Sequence, residues 1–84
     1  MKKFKLAGVT WTIKETSDIH ELGRTDNDRQ IIFISNRQTE QGKEVTFLHE
    51  LVHAILFTMG EMEHDERFVE AFAQLLYQYE QQKV

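Results

Sequence analysis

His49, Glu50 and His53 place two imidazoles and a carboxylate in the run His49-Glu50-Leu51-Val52-His53. On a helix, positions i and i+4 stand one turn apart on the same face. Two imidazoles so placed can reach one zinc ion at roughly 2.0–2.1 Å each. Glu50, beside the first of them, can take a proton from a water on that ion, giving hydroxide near neutral pH. The ion would also polarise a scissile carbonyl. This is the mechanical content of the H-E-x-x-H pattern, the hydrolysis of an amide bond. The bland alternative is a pair of polar positions in a buried helix. Two histidines facing the same way on an otherwise apolar helix need partners, because buried polar groups left unpaired are costly. That requirement favours the metal.

A catalytic site needs three protein ligands and an open position. The candidates after His53 are Glu61, Glu63, His64, Asp65, Glu66 and Glu70. Glu61 and Glu63 lie near the turn that ends the metal helix. Glu66 and Glu70 fall on the next helix, which must pack back on the first. At helical spacing Glu66, Val69 and Ala73 share one edge beside the apolar face, and Glu66 sits in the first turn. Glu70 is one turn further on and rotated toward solvent. The order of preference is Glu66, then Glu70, then His64, a third histidine that would change the class of the site. The bland reading of both glutamates is the solvated rim of an amphipathic helix.

The elements that must position these residues are written in the patterning. Over residues 4–16, Val9, Trp11 and Ile13 alternate with Thr10, Thr12 and Lys14, which predicts a half-buried strand with Gly8 a turn or bulge at its start. Ile19 to Leu22 is a short second strand. Gly23 and Thr25-Asp26-Asn27-Asp28 mark a turn. Gln30 to Ser35 is β-branched and aromatic and is the strongest strand. It would close a hairpin across residues 23–29. Thr39 is a candidate N-cap for a helix running from Thr39 or Lys43 to Met59, with Gly60 as its stop. Leu48, Leu51, Val52, Ile55 and Met59 form one broad face, and Ala54 and Phe57 make the rest nearly apolar. Such a helix is buried on several sides. The last helix runs from a cap at Asp65 to about Gln81, with Phe68, Val69, Phe72, Leu75, Leu76 and Tyr79 on its apolar face. The expected fold is α+β, a small antiparallel sheet of two to three strands followed by two packed helices.

A chain of 84 residues predicts a single domain over 1–84. A core this small needs help, and with no cysteine that help is a metal or a partner. A net charge of -4 and a pI of about 5.5 argue against a nucleic-acid partner. The start Met1-Lys2-Lys3-Phe4-Lys5-Leu6 superficially resembles a signal peptide. The apolar run after it is broken by Thr10 and Thr12, stops at Lys14 and lacks a cleavage site. No segment suits a bilayer, so the cytoplasm is the default location. Trp11 is a core residue, and His20 is a lone surface or locally bonded histidine. Tyr77 and Tyr79 are candidate hydroxyls for an oxyanion, Tyr77 being nearer the glutamate edge. Tyr79 to Val84 is a fraying helix end.

His49-Glu50-Leu51-Val52-His53-Ala54-Ile55-Leu56 and Glu66-Arg67-Phe68-Val69-Glu70-Ala71-Phe72-Ala73 resemble the gluzincins, zinc peptidases with two histidines and a glutamate. Within them the chain is similar to the ImmA/IrrE-type metallopeptidases of bacteria, phages and mobile elements, in a minimal zincin-like form. The resemblance covers about residues 47–77. In that group a second helix carries a glutamate ligand, followed four positions later by a polar or acidic residue and then by a Phe-Ala pair. Setting that pattern on Phe72-Ala73 implies that Glu66 is the ligand. Glu70, where related proteins often carry Asn or Asp, is then the carboxylate that orients a ligating histidine. The resemblance implies a zinc metallo-endopeptidase with Zn2+ on His49, His53 and Glu66, Glu50 as general base, and a protein or peptide substrate such as a regulator cut at one loop. The strand Gln30 to Ser35, if exposed, would take an extended peptide by strand addition. One rival is a non-catalytic regulatory or binding module that keeps the fold and the metal. Another is a structural zinc site with His64 as a fourth ligand.

Overall fold

The computed structural model describes residues 2–82. Met1, Lys83 and Val84, the ends of the signal-like start and of the expected fraying helix, lie outside them. The element order is β1 (Lys2–Leu6), β2 (Val9–Thr16), β3 (Gly23–Asp26), β4 (Ile31–Ser35), α1 (Glu40–Thr58) and α2 (Glu66–Gln82). The class is α+β, as the patterning requires, but the sheet is larger and differently paired. It has four strands in the order β1-β2-β4-β3.

The stretch expected as one strand is a hairpin, with Gly8 in a turn at the start of β2 as expected and a further strand before it. Ala7 (φ 50°) and Gly8 (φ 81°) both adopt left-handed backbone, the conformation that a tight two-residue hairpin turn demands. Leu6 then pairs with Val9, and Phe4 with Trp11. Phe4 stacks on Trp11 at 6.3 Å between ring centres, so the added strand deepens the core.

The second hairpin is shifted. Gly23–Asp26, expected as part of the turn, is the strand, and the turn occupies residues 27–30. Asp26 shapes it, accepting from Arg29 N at 3.1 Å and from Arg29 Nε at 2.7 Å. Ile19 to Leu22, expected as strand, forms a loop whose Ile19 is buried. The loop is tied down by Arg37, whose guanidinium donates to the Ile19 carbonyl, and by Gln38 Nε2, 3.0 Å from the Leu22 carbonyl. Gly-Arg-Thr-Asp has no alternating apolar pattern. It becomes a strand because the turn after it folds its backbone onto β4.

β4 pairs antiparallel with β3 and parallel with β2, Thr12 lying opposite Ile31. The sheet is therefore mixed, not antiparallel. It also follows that Gln30 to Ser35 is interior and has no free edge for a peptide. The edges are β1 and β3.

α1 lies on the sheet, capped by Thr39, whose Oγ1 accepts from Gly42 N at 3.0 Å. Gly60, at φ 91°, ends it in left-handed backbone. Its apolar residues serve two cores. Ala54 completes a cluster with Trp11, Ile32 and Ile34, flanked by Phe47. Val52 packs with Val69 and Ala73 of α2, flanked by Leu48, Leu56 and Leu76. α1 is thus buried on more than one side, as its nearly all-round apolar character requires, but Met59, assigned to its broad face, is 71% exposed. On α2, Val69 and Ala73 are buried, whereas Phe68, Phe72, Leu75 and Tyr79 are exposed. Among the described residues no helix is long and apolar enough to cross a membrane.

Candidate metal centre

The two faces of α1 define a seam. Thr46, Glu50 and Ala54 turn toward the sheet, and Leu48, Val52 and Leu56 turn toward α2. His49 and His53 fall at the edge between them, where β3 approaches from one side and the start of α2 from the other. An open groove of about 530 Å³ runs along that seam, lined among others by Gly23, Thr25, His49, Glu50, His53 and Glu66.

Glu66 reaches across the groove to both histidines. Its Oε1 lies 3.3 Å from His49 Nε2 and its Oε2 3.2 Å from His53 Nε2. One ligand atom from each of the three residues lies within 4.8 Å of the others. A tetrahedral ion with bonds of roughly 2.0–2.1 Å separates its ligand atoms by about 3.3 Å. Two imidazole nitrogens and one carboxylate at these distances fit such an ion, and the residues could hold it.

The outer nitrogens are also engaged. His49 Nδ1 lies 3.3 Å from Glu70 Oε1, so Glu70 stands behind a histidine rather than beside Glu66. His53 Nδ1 lies 2.6 Å from His64 Nδ1, and His64 Nε2 lies 2.6 Å from the Glu61 carbonyl. His64, weighed as a ligand, is not in the ligand cluster. Burial lowers the pKa of His53, chiefly by desolvation and further through His49 and His64, against the opposing pull of Glu66 and Glu50. A neutral imidazole is the form that binds metal.

Glu50 is 8% exposed. Thr25 Oγ1 donates to its Oε1 at 2.7 Å and also sits 3.0 Å from its backbone carbonyl. Gly23 makes room for this carboxylate. A Cβ there would fall 2.5 Å from Thr46 Cγ2 and 2.9 Å from Glu50 Cγ, closer than real side chains approach. A buried carboxylate with one hydroxyl donor, set beside three ligand atoms, is placed to accept and return a proton.

Several of these partners have no signature in the sequence. Gly23 and Thr25 look like turn residues, and their contact with Glu50 spans more than twenty positions. His64 stands out as a histidine, but nothing in its spacing shows that it faces His53 by its outer nitrogen. Tyr77, the preferred oxyanion hydroxyl, does not line the metal groove. It lines a larger groove of about 1010 Å³ beside Lys43 and Phe47, and Tyr79 is 60% exposed. Neither tyrosine is brought to the centre.

Comparison with known proteins points the same way as this geometry. A peptidase family model, described as the IrrE N-terminal-like domain, matches residues 5–82. No curated protein and no solved structure gives a match.

Proposed function

The chain belongs to the peptidase family of the IrrE N-terminal-like domain, and on that footing we propose that it is a zinc-dependent endopeptidase acting on a protein substrate. The observation that carries this reading is the Glu66 carboxylate spanning the Nε2 atoms of His49 and His53 at 3.3 and 3.2 Å, with buried Glu50 beside them. Two imidazoles and one carboxylate are a donor set that suits zinc. Such an ion supplies Lewis acidity to a carbonyl and acidifies water.

The rest is the work of the chain. Thr25 holds one oxygen of Glu50 and leaves the other to take a proton from water and hand it to the departing amine. Glu70 steadies the His49 ring from behind. β3, an edge strand whose Gly23 and Thr25 line the groove, offers its backbone to an extended peptide, which would then run past Glu50. This role passes to β3 from the interior β4. The open groove suits a loop of a folded protein, such as a regulator, better than an enclosed small molecule.

A second reading has one observation in its favour. The exposed stripe of Phe68, Phe72, Leu75 and Tyr79 is what a binding module would show. One experiment separates them. Zinc-loaded protein is assayed on a quenched-fluorescence peptide library, with and without chelator, beside Glu50→Gln. The proposal expects cleavage that chelator abolishes and that Glu50→Gln loses while keeping zinc. Undiminished cleavage by Glu50→Gln would sink the mechanism. Zinc binding with no cleavage would favour the module.

A further inference from the structure

We propose that His64 is a positioning residue that holds His53 with its Nε2 lone pair turned toward the metal. The inference rests on the reading of His53 as a ligand and deepens it.

The argument is one of donors and acceptors. A carbonyl oxygen only accepts, so at 2.6 Å from the Glu61 carbonyl His64 Nε2 carries the proton. In its neutral form His64 has that one N–H, so its Nδ1 is bare and accepts. Its neighbour at 2.6 Å is His53 Nδ1, which must therefore be the donor. His53 has then spent its own N–H, and Nε2 is left bare. That nitrogen faces Glu66 Oε2 at 3.2 Å, two acceptors that a cation between them would reconcile. Both hydrogen bonds of this relay run in one direction, from His53 through His64 to Glu61.

The surroundings hold this relay in place. The rings of His53 and His64 are inclined by only 20°, which keeps the N–H and the lone pair near one plane. Phe57 covers His64 with 4.4 Å between ring centres. Glu61 is itself anchored, its N–H donating to the Leu56 carbonyl at 2.9 Å. The end of α1 thus fixes the carbonyl that fixes His64, and His64 fixes a ligand one turn back on the same helix. His49 has its own acceptor, Glu70. The two ligands are oriented by different chemistry, a carboxylate for one and an imidazole for the other. With both nitrogens engaged, His64 has no lone pair left for a fourth bond to the metal.

The test uses the full chain. Zinc affinity is measured by competition with a chromogenic chelator for the native protein, His64→Phe and His64→Asn. Phenylalanine keeps the ring against Phe57 and removes both nitrogens, while asparagine keeps an acceptor near the Nδ1 position. The expected result is a loss of roughly 10–100-fold in affinity for His64→Phe, typical of an outer partner, with His64→Asn recovering most of it. Native affinity in a folded His64→Phe would overturn the proposal. A second measurement needs neither zinc nor a variant. Long-range proton–nitrogen correlation spectra of the metal-free chain at pH 8 should show His64 protonated on Nε2 and His53 on Nδ1. The opposite tautomers would overturn it. A native chain that binds no zinc would defeat the metallopeptidase reading, and the tautomers would still decide the relay.

Discussion

α1 brings two imidazoles and a carboxylate to the metal groove and α2 brings carboxylates, both at helical spacing, yet they stand in the fold very differently. α1 lies between the sheet and α2, and its histidine side chains are only 23% and 12% exposed. α2 buries one narrow stripe, and the Glu66 side chain is 68% exposed. The buried helix supplies the parts whose positions must not drift, namely Glu50 and the two imidazoles. The outer helix supplies one carboxylate and the support for one ring. A ligand on an exposed helix rim is held by few contacts, so the ion itself would help to fix it. In a core this small, closing the centre would then draw α2 onto α1, and metal binding would become part of folding.

The largest effect expected is on α1. Glu50→Gln should lower peptidase activity by about 10²–10⁴-fold, the usual worth of a positioned base, with zinc stoichiometry unchanged in metal analysis. Loss of zinc together with activity would show that Glu50 is structural. Next come the two carboxylates of α2. Glu70→Ala should weaken zinc by roughly 10–100-fold as an outer partner, and Glu66→Ala by more than that as a ligand. Equal affinities in a chelator competition would erase the distinction between them.

Stability should separate the two helices in the same way. Ala54→Leu would overpack the contact of α1 with Trp11, Ile32 and Ile34 and cost about 1–3 kcal/mol in urea unfolding. Leu75→Gln on the exposed face of α2 should stay within about 0.5 kcal/mol. A large loss from Leu75→Gln would mean that this face is covered in solution. The smallest effect concerns pH. Folding lowers the pKa of His53, so the unfolded chain binds a proton there more readily than the folded one. The metal-free protein should therefore hold the full contribution of His53 above the unfolded value near 6.5 and lose it as pH falls from there through the lowered folded value. His53→Gln should flatten that part of the profile. Glu66 and Glu50 face the same ring and oppose the effect, while His49 and His64 reinforce it.

The helices were readable along the chain because their signals are local. Thr39 caps α1, Gly60 stops it, Asp65 accepts from Arg67 N at 2.9 Å at the start of α2, and the apolar spacing of Leu48, Val52 and Leu56 is a helical repeat. The sheet was less readable. β1 hides in front of a tight turn, and β3 carries no apolar pattern, so patterning points to Ile19–Leu22, four residues ahead of the strand at Gly23–Asp26. Strand order and the parallel pairing of β2 with β4 depend on contacts between distant segments, which no window of sequence contains. The exposed Met59 and the exposed stripe of α2 have the same cause. Periodicity shows which residues share a face and not whether anything covers it.

His49, Glu50 and His53 show the same division. The spacing of His49, Glu50 and His53 on a helix already sends two imidazoles to one point, because the pitch of the backbone does that wherever the helix lies. Which carboxylate spans them, which groups stand behind each ring and which hydroxyl holds Glu50 depend on how β3, α1 and α2 pack. Glu66, Glu70, His64, Thr25 and Gly23 came together through burial on two sides of one helix, a property of the assembled core rather than of any stretch of chain.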